Sequence, residues 1–207
     1  TTDSIFQVMS MTKPFTGVGI MMLVEEGKLA LADPVKKYLP EFGALRGGRP
    51  ITVHDLMTHT SGLPSMPSGE FKDLYQRMDR TLAEAVAASA KQLLEFEPGS
   101  KWSYCNMGIA TLGRIIEVIS GKPFEAFIEQ RIFAPLAMKD SHFFLPPSKR
   151  DRLAIVYKHS NGKLTPEGGD LLGGNPRRFR EGAKYPAPEF GLYSTAADLS
   201  HFYQMML

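Results

Sequence analysis

The stretch Phe6-Gln-Val-Met-Ser10-Met-Thr-Lys13-Pro-Phe-Thr16 contains an S-x-x-K pattern. Before it, the residues SIFQV at positions 4–8 predict a short strand. After it, Pro14 is in the first turn of a predicted helix over residues 10–26, where a missing N–H group costs little, and Gly27 is typical of a left-handed C-cap. Apolar residues cover nearly the whole circumference of this helix, so we expect it to be buried on all sides.

Ser10 and Lys13 form a candidate nucleophile and base. Residues three apart on a helix lie on one face, with Cβ atoms about 5–6 Å apart, so the lysine amine can reach the serine hydroxyl. A serine needs an adjacent base to become nucleophilic, and a neutral lysine can act as one, whereas a charged lysine can hold other groups in place. Free N–H groups of the first helical turn are possible donors to an oxyanion. The motif alone favours a different interpretation, an N-cap serine beside a solvated lysine.

A second polar pattern is Tyr104-Cys105-Asn106, at a predicted loop-to-helix junction. In an extended triplet, residues i and i+2 point the same way, so Tyr104 and Asn106 are expected to enter one cleft while Cys105 faces the interior. A phenol can transfer protons, and an amide can orient both a lysine and a substrate. Taken singly, Tyr104 is better explained as a half-buried aromatic residue and Asn106 as an N-cap.

The rest of the chain predicts helices more often than strands. Capping boxes begin at Thr52 and Thr81, and Thr195 is expected to cap a last helix that reaches residue 207. An alanine-rich helix is predicted to about residue 92, further helices over residues 106–120 and 123–133, a strand over residues 153–157 and a loop over residues 168–188. The few short strands cannot complete a sheet.

Composition excludes several classes. The chain has 207 residues, 43% hydrophobic and 22% charged, with a net charge of +2, as in ordinary folded proteins. The basic run Arg177, Arg178 and Arg180 is interpreted as a solvated loop, and no basic stripe is interleaved with aromatic residues, so no nucleic-acid partner is expected. The apolar run at residues 18–24 is too short to span a bilayer, so no transmembrane segment is predicted.

The single cysteine excludes an intrachain disulfide, and the five scattered histidines show no metal-ligand spacing. We therefore predict no metal and no cofactor. Neither the compartment nor the oligomeric state is indicated, because a secreted protein can lack disulfides and nothing in the composition reports assembly.

Together, these motifs resemble a family. Residues 6–16 look like the nucleophile segment of the serine β-lactamase and penicillin-binding-protein superfamily, most of all its class C branch and esterase relatives, and Tyr104-Cys105-Asn106 is similar to that branch's Tyr-x-Asn motif. Residues 56–63, 96–104 and 191–199 match its framework in the same order. The resemblance implies a β-lactamase/transpeptidase-like α/β (α+β) fold, with a helical cluster packed on an antiparallel sheet and the site between them.

The resemblance also implies roles. Ser10 would be acylated, Lys13 and Tyr104 would share the proton transfers, and Asn106 would position Lys13 and the substrate. The Ser10 backbone N–H would form half of an oxyanion hole. His59, in the HTSGL stretch, would have a framework role.

The family's third motif, K-T-G or a variant beginning with His or Trp, is absent from the sequence. We therefore expect one domain over residues 1–207 that is truncated at both ends and lacks part of its sheet. Small esters, β-lactams and D-amino-acid peptides remain competing substrates, with Met9, Met11 and Met66 favouring an ester. The alternatives are a catalytically silent binding protein that keeps this fold, and a helical interaction module in which the motif is accidental.

Overall fold

The computed structural model of the chain describes residues 1–44, 48–166 and 182–207. Seven α-helices lie in these ranges: α1 (Lys13–Glu25), α2 (Val53–Met57), α3 (Leu74–Arg77), α4 (Leu82–Ser89), α5 (Asn106–Ser120), α6 (Phe124–Ile128) and α7 (Ala196–Met205). The four described strands are β1 (Phe6–Gln7), β2 (Tyr157–Ser160), β3 (Lys163–Pro166) and β4 (Tyr193–Ser194). The expected excess of helix over strand is confirmed for these residues.

Helix α5 is the centre of the hydrophobic core, and α1, α2, α4 and α6 all pack against it. Its side chains Leu112, Ile115 and Ile116 have no exposed surface. Gly19 of α1 permits the close approach of the two helices, because a Cβ there would lie 3.0 Å from Ile116 Cδ1. The core therefore holds α1, and the Ser-x-x-Lys segment before it, in a fixed place.

Helix α1 is buried on one face only, so the prediction of burial on all sides is wrong. Phe15, Ile20 and Leu23 are fully buried, whereas Met21 is 44% exposed. The reason is geometric: α5 and α6 pack against α1 and Phe202 of α7 stacks on Phe15, whereas the described residues leave Met21 exposed. Apolar composition identified an internal helix but not which side of it is covered.

The strands form two separate antiparallel pairs. In the first, Phe6 of β1 is opposite Ser194 of β4, and the strand predicted over residues 4–8 is confirmed in shortened form. In the second, β2 pairs with β3 through the turn at Asn161-Gly162, where φ is 50° and 75°. Positive φ at both turn positions is the type I′ geometry that an Asn-Gly pair favours.

The strand predicted over residues 153–157 is wrong in its bounds. Leu153 makes one isolated bridge to Ile5, and the regular strand begins only at Tyr157. A 3₁₀ turn, Pro147–Arg152, directs Leu153 into a small apolar cluster with Ile5 and Tyr193. The apolar residue Leu153 thus packs into a cluster and is not part of a regular β-strand.

The residues that cap helices predicted helix ends more reliably than apolar patterns predicted strands. Thr52 and Thr81 make the predicted capping boxes with Asp55 and Glu84, and α5 has the predicted bounds. The alanine-rich helix ends at Ser89, the helix over residues 123–133 becomes a π-helical turn after Ile128, and α7 ends at Met205. The basic run at residues 177–180, which we interpret as a solvated loop, and most of the loop predicted over residues 168–188 lie outside the described residues.

Candidate active site

The nucleophile candidate lies on a short 3₁₀ helix, Met9–Thr12, directly before α1. Met9 has a φ of 50°, a left-handed conformation that costs a non-glycine residue about 1 kcal/mol or more. The Thr12 hydroxyl holds this turn: it donates to the Met9 carbonyl at 2.6 Å and accepts from the Leu192 N–H at 3.1 Å. The strained turn presents Ser10 at the surface, where its side chain is exposed.

Three of the predicted residues meet at one atom. The Lys13 amine donates to Ser10 Oγ at 3.0 Å, and the Tyr104 hydroxyl donates to the same oxygen at 2.7 Å. Lys13 Nζ also lies 4.6 Å from the centre of the Tyr104 ring, which is within the range of a cation–π contact. A serine oxygen that faces both an amine and a phenol has two possible routes for its proton.

The Lys13 amine has a third contact, which the sequence did not predict. It donates to the backbone carbonyl of Glu189 at 2.8 Å. One residue earlier, the Pro188 carbonyl accepts from the Thr16 hydroxyl at 2.8 Å. The segment before β4 is thus fixed along the start of α1 and directs the amine toward Ser10.

Asn106, two residues after Tyr104, contacts other residues than Ser10 and Lys13. As the first residue of α5, it donates from its backbone N–H to Ser65 Oγ at 3.1 Å, and its side-chain nitrogen lies 3.8 Å from the Met66 sulfur. The predicted contact of Asn106 with Lys13 is not among the hydrogen bonds of the described residues. The N-cap of α5 is Cys105, whose sulfur accepts from the Gly108 N–H at 3.2 Å.

Cys105 itself faces the interior, as predicted. Its thiol is 2% exposed and donates to the Leu63 carbonyl at 3.3 Å. Burial raises the pKa of the Cys105 thiol to about 11, so it remains protonated at neutral pH. A thiol nucleophile at this position is excluded.

His59 supports Tyr104. Its Nδ1 accepts from the Cys105 N–H at 3.1 Å, its carbonyl accepts from the Ser103 N–H at 2.9 Å, and its ring lies 4.8 Å from the Tyr104 ring. Burial lowers the pKa of His59, and the positive charge of Lys13 acts in the same direction, so the imidazole is neutral at pH 7. The framework role expected of this residue has a physical basis.

The surroundings of Ser10 are open to solvent. Tyr104 is 40% exposed, and the apolar side chains of Met11, Met66 and Trp102 are 44%, 51% and 68% exposed. Met9, by contrast, packs against the core. The open side of Ser10 is therefore accessible to a substrate.

Neither a metal nor a membrane helix is indicated by this part of the structure. Within residues 1–44, 48–166 and 182–207, no group of three or more His, Cys, Asp or Glu side chains could hold a metal ion. The helices in the same ranges are each too short or too polar to cross a membrane.

Comparison with known proteins identifies the class. The model of the Beta-lactamase family matches residues 1–207, so this chain belongs to the beta-lactamase family. The resemblance that the motifs indicated and the β-lactamase/transpeptidase-like fold class are both confirmed.

Individual relatives include an esterase and penicillin-binding proteins. Esterase EstB of Burkholderia gladioli is 31% identical over 95% of this chain and 55% of its own length. Penicillin-binding protein 4 of Amycolatopsis lactamdurans is 33% identical over 100% of this chain and 52% of its own length. The solved octameric penicillin-binding protein homologue of Pyrococcus abyssi aligns with a TM-score of 0.77 and 33% identity over 98% of this chain and 44% of that one. The chain thus spans about half the length of these relatives.

Proposed function

We propose that the protein is a serine hydrolase that works through an acyl-enzyme on Ser10. The observation that supports this most directly is the convergence of Lys13 Nζ and Tyr104 OH on Ser10 Oγ, at 3.0 and 2.7 Å. The matched family contributes the class of chemistry, because its members include an esterase and penicillin-binding proteins.

In the acylation step, Ser10 Oγ attacks the carbonyl carbon of the substrate as its proton passes to the Lys13–Tyr104 pair. The new C–O bond gives a tetrahedral oxyanion, for which the Ser10 backbone N–H remains a predicted donor. Collapse of this intermediate breaks the bond to the leaving group, and the phenol returns the proton to that group. An ester of Ser10 remains on the protein.

In the deacylation step, water attacks the Ser10 ester and gives its proton to the same pair. The bond to Oγ breaks, the carboxylic acid leaves and the serine hydroxyl is restored. Asn106 follows Tyr104 by two residues and contacts Ser65 and Met66, and we propose that the Asn106 amide contacts the substrate.

Among substrates, we propose a small carboxylic ester ahead of a β-lactam or a D-amino-acid amide. Three exposed apolar side chains adjoin residues of the site and suit an uncharged acyl or alcohol group: Met11 follows Ser10, Met66 contacts the Asn106 amide, and the Trp102 ring lies 6.2 Å from the His59 ring. The similarity to EstB supports the same order, whereas the similarity to penicillin-binding proteins supports the amide alternative.

The test uses the full-length protein with p-nitrophenyl acetate and with nitrocefin. We expect ester hydrolysis that falls by about 10³-fold or more in Ser10→Ala, because the nucleophile is lost. Ser160→Ala, on the exposed strand β2, is the matched control and should retain activity. Hydrolysis that persists in Ser10→Ala would assign the chemistry to another residue, and two inert substrates with no acyl adduct by intact mass would favour the silent binding protein.

A further inference from the structure

Glu189 is a fully buried acidic residue immediately behind the Lys13 amine. It has no exposed surface, and it lies in the apolar segment YPAPEFGL, residues 185–192, before β4. Buried carboxyl groups are uncommon because the charged form loses its hydration. This position therefore needs an explanation beyond packing.

The main chain of Glu189 is part of the candidate site. Its carbonyl accepts from Lys13 Nζ at 2.8 Å, and the same amine donates to Ser10 Oγ at 3.0 Å. Any movement of this carbonyl would move the amine relative to the serine. Glu189 thus acts on Lys13 through its backbone, without touching Ser10.

The side chain of Glu189 is only partly satisfied. Oε1 accepts from the Tyr185 hydroxyl at 2.9 Å, whereas Oε2 makes no hydrogen bond to any residue that the structure describes. The groups that face this carboxyl are Tyr185 from its own segment, Tyr75 from α3 and the ammonium group of Lys13 from α1. Lys13 is the one cation among them.

Burial raises the pKa of the Glu189 carboxyl to about 7, although Tyr185, Tyr75 and Lys13 each act to lower it. The carboxyl therefore changes charge near neutral pH. When it is ionised, its negative charge opposes a further build-up of negative charge at the neighbouring Ser10–Lys13–Tyr104 group. When it is neutral, that opposition disappears.

We propose that Glu189 is a positioning residue for Lys13, whose carbonyl orients the amine toward Ser10 and whose buried carboxyl controls, by its charge, how readily the Ser10–Lys13–Tyr104 group gives up its proton. This inference rests on the proposed serine hydrolase function.

The test compares Glu189→Gln with the unchanged protein from about pH 5 to about pH 10, a range that includes the pKa of the Glu189 carboxyl. Glutamine keeps the size of the side chain and the backbone carbonyl but cannot ionise. Two rates are measured: kcat/KM for p-nitrophenyl acetate, and labelling of Ser10 by a fluorophosphonate, followed by intact mass. The second rate needs no turnover.

We expect the two profiles to coincide below about pH 6, where the Glu189 carboxyl of the unchanged protein is neutral, as the glutamine of the variant is at every pH. Between about pH 7 and pH 9, Glu189→Gln should be about 3- to 10-fold faster, because a shift of 0.5–1 pH unit on a limb of unit slope gives this ratio. Glu189→Asp, which restores an ionisable group, should move the profile back toward that of the unchanged protein.

Asp198→Asn is the matched control, because it makes the same chemical change at a buried carboxylate whose hydrogen bonds join α7 to residues 140–141 and not to the site. Asp198 is 6% exposed and accepts from the Asp140 N–H and the Ser141 hydroxyl, both at 2.8 Å. It should lower the thermal midpoint and leave the shape of the pH profile unchanged. A profile change in both variants would mean that lost stability, not charge, is responsible.

If Glu189→Gln does not fold, Tyr185→Phe provides a second route. It removes a hydrogen bond that favours the ionised carboxyl, so its profile should shift in the same direction by a smaller amount. Profiles identical to that of the unchanged protein in the variants that fold would overturn the inference and leave the proposed function standing. An unchanged protein that neither hydrolyses the ester nor is labelled at Ser10 would overturn both.

Discussion

At the scale of single residues, the Tyr104 phenol is the most informative group to change. Its hydroxyl lies 2.7 Å from Ser10 Oγ, while its ring packs on His59 at 4.8 Å. Tyr104→Phe should therefore keep the ring contact and lose only the proton route, lowering the acylation rate by about 10²-fold. The measurement is the pre-steady-state burst with p-nitrophenyl acetate, and Tyr157→Phe on the exposed strand β2 is the control. A burst rate within a factor of two or so of normal would exclude the phenol from proton transfer.

Sequence reasoning could find Ser10, Lys13 and Tyr104 because each belongs to a short pattern with a chemical meaning. It could not find Glu189, because nothing local connects an acidic residue in an apolar segment to a lysine 176 positions earlier. For His59 the pattern indicated a framework residue, but the hydrogen bond to the Cys105 N–H depends on the fold. The contact predicted between Asn106 and Lys13 came from the family resemblance, and the described residues do not include it.

At the scale of elements, the contact of α5 with the segment before β4 determines where the Lys13 partner lies. Gly113 of α5 faces Pro188, and a Cβ there would lie 2.8 Å from Pro188 Cβ, closer than real side chains approach. Glycine within a helix lowers stability by about 0.5–1 kcal/mol relative to alanine. The close contact with Pro188 therefore explains why position 113 has a glycine. The Pro188 carbonyl accepts a hydrogen bond from the Thr16 hydroxyl, and the Glu189 carbonyl accepts one from the Lys13 amine.

Gly113→Ala should push this segment away from α1. We expect a loss of about 1–3 kcal/mol of stability, typical of overpacking, and a fall in kcat/KM of about 10-fold because the Lys13 amine loses its position. The measurements are urea unfolding and ester hydrolysis. Gly17→Ala in α1 is the matched control, because its added methyl group would meet only Met57 Cε at an ordinary 3.6 Å. Equal effects of the two substitutions would contradict the proposed contact.

Element prediction succeeded where the signal was local and failed where it depended on neighbours. The capping threonines and the bounds of α5 follow from side-chain chemistry within one turn. The exposed face of α1 depends on which elements cover it, which its uniform apolar composition does not encode. The β2–β3 hairpin was missed although Asn161-Gly162 is a strong turn signal, because its strands are exposed and lack an apolar alternation.

At the scale of the whole molecule, the stability should depend on pH through buried carboxyl groups with opposite shifts. Burial opposes ionisation of Glu189 and raises its pKa from the usual 4.5 to about 7. Between these two pH values the unfolded chain ionises and the folded protein does not, so the stability that Glu189 contributes declines as the pH rises. Asp55 behaves in the opposite way, because it is ionised and held by donors. The two groups act in separate pH ranges and can be distinguished.

Asp55 joins α2 to the preceding segment. It is 2% exposed, and its two oxygens accept from the Arg49 guanidinium at 2.7 and 2.8 Å. The Thr52 N–H donates to it at 2.8 Å. Burial alone would raise the pKa of Asp55, but the Arg49 and Thr52 donors outweigh burial and lower it to about 2.

Because this pKa lies below its usual value of 3.8, the stabilisation is complete above that pH and is lost as the pH falls through about 2. Asp55→Asn should therefore destabilise the protein by about 1–2 kcal/mol at pH 7, allowing for the partial exposure of Arg49. The difference from the unchanged protein should shrink between about pH 4 and pH 2. Urea unfolding across this range measures it, with the exposed Asp151→Asn as control. A difference that stays constant down to pH 2 would show that the network acts through shape rather than charge.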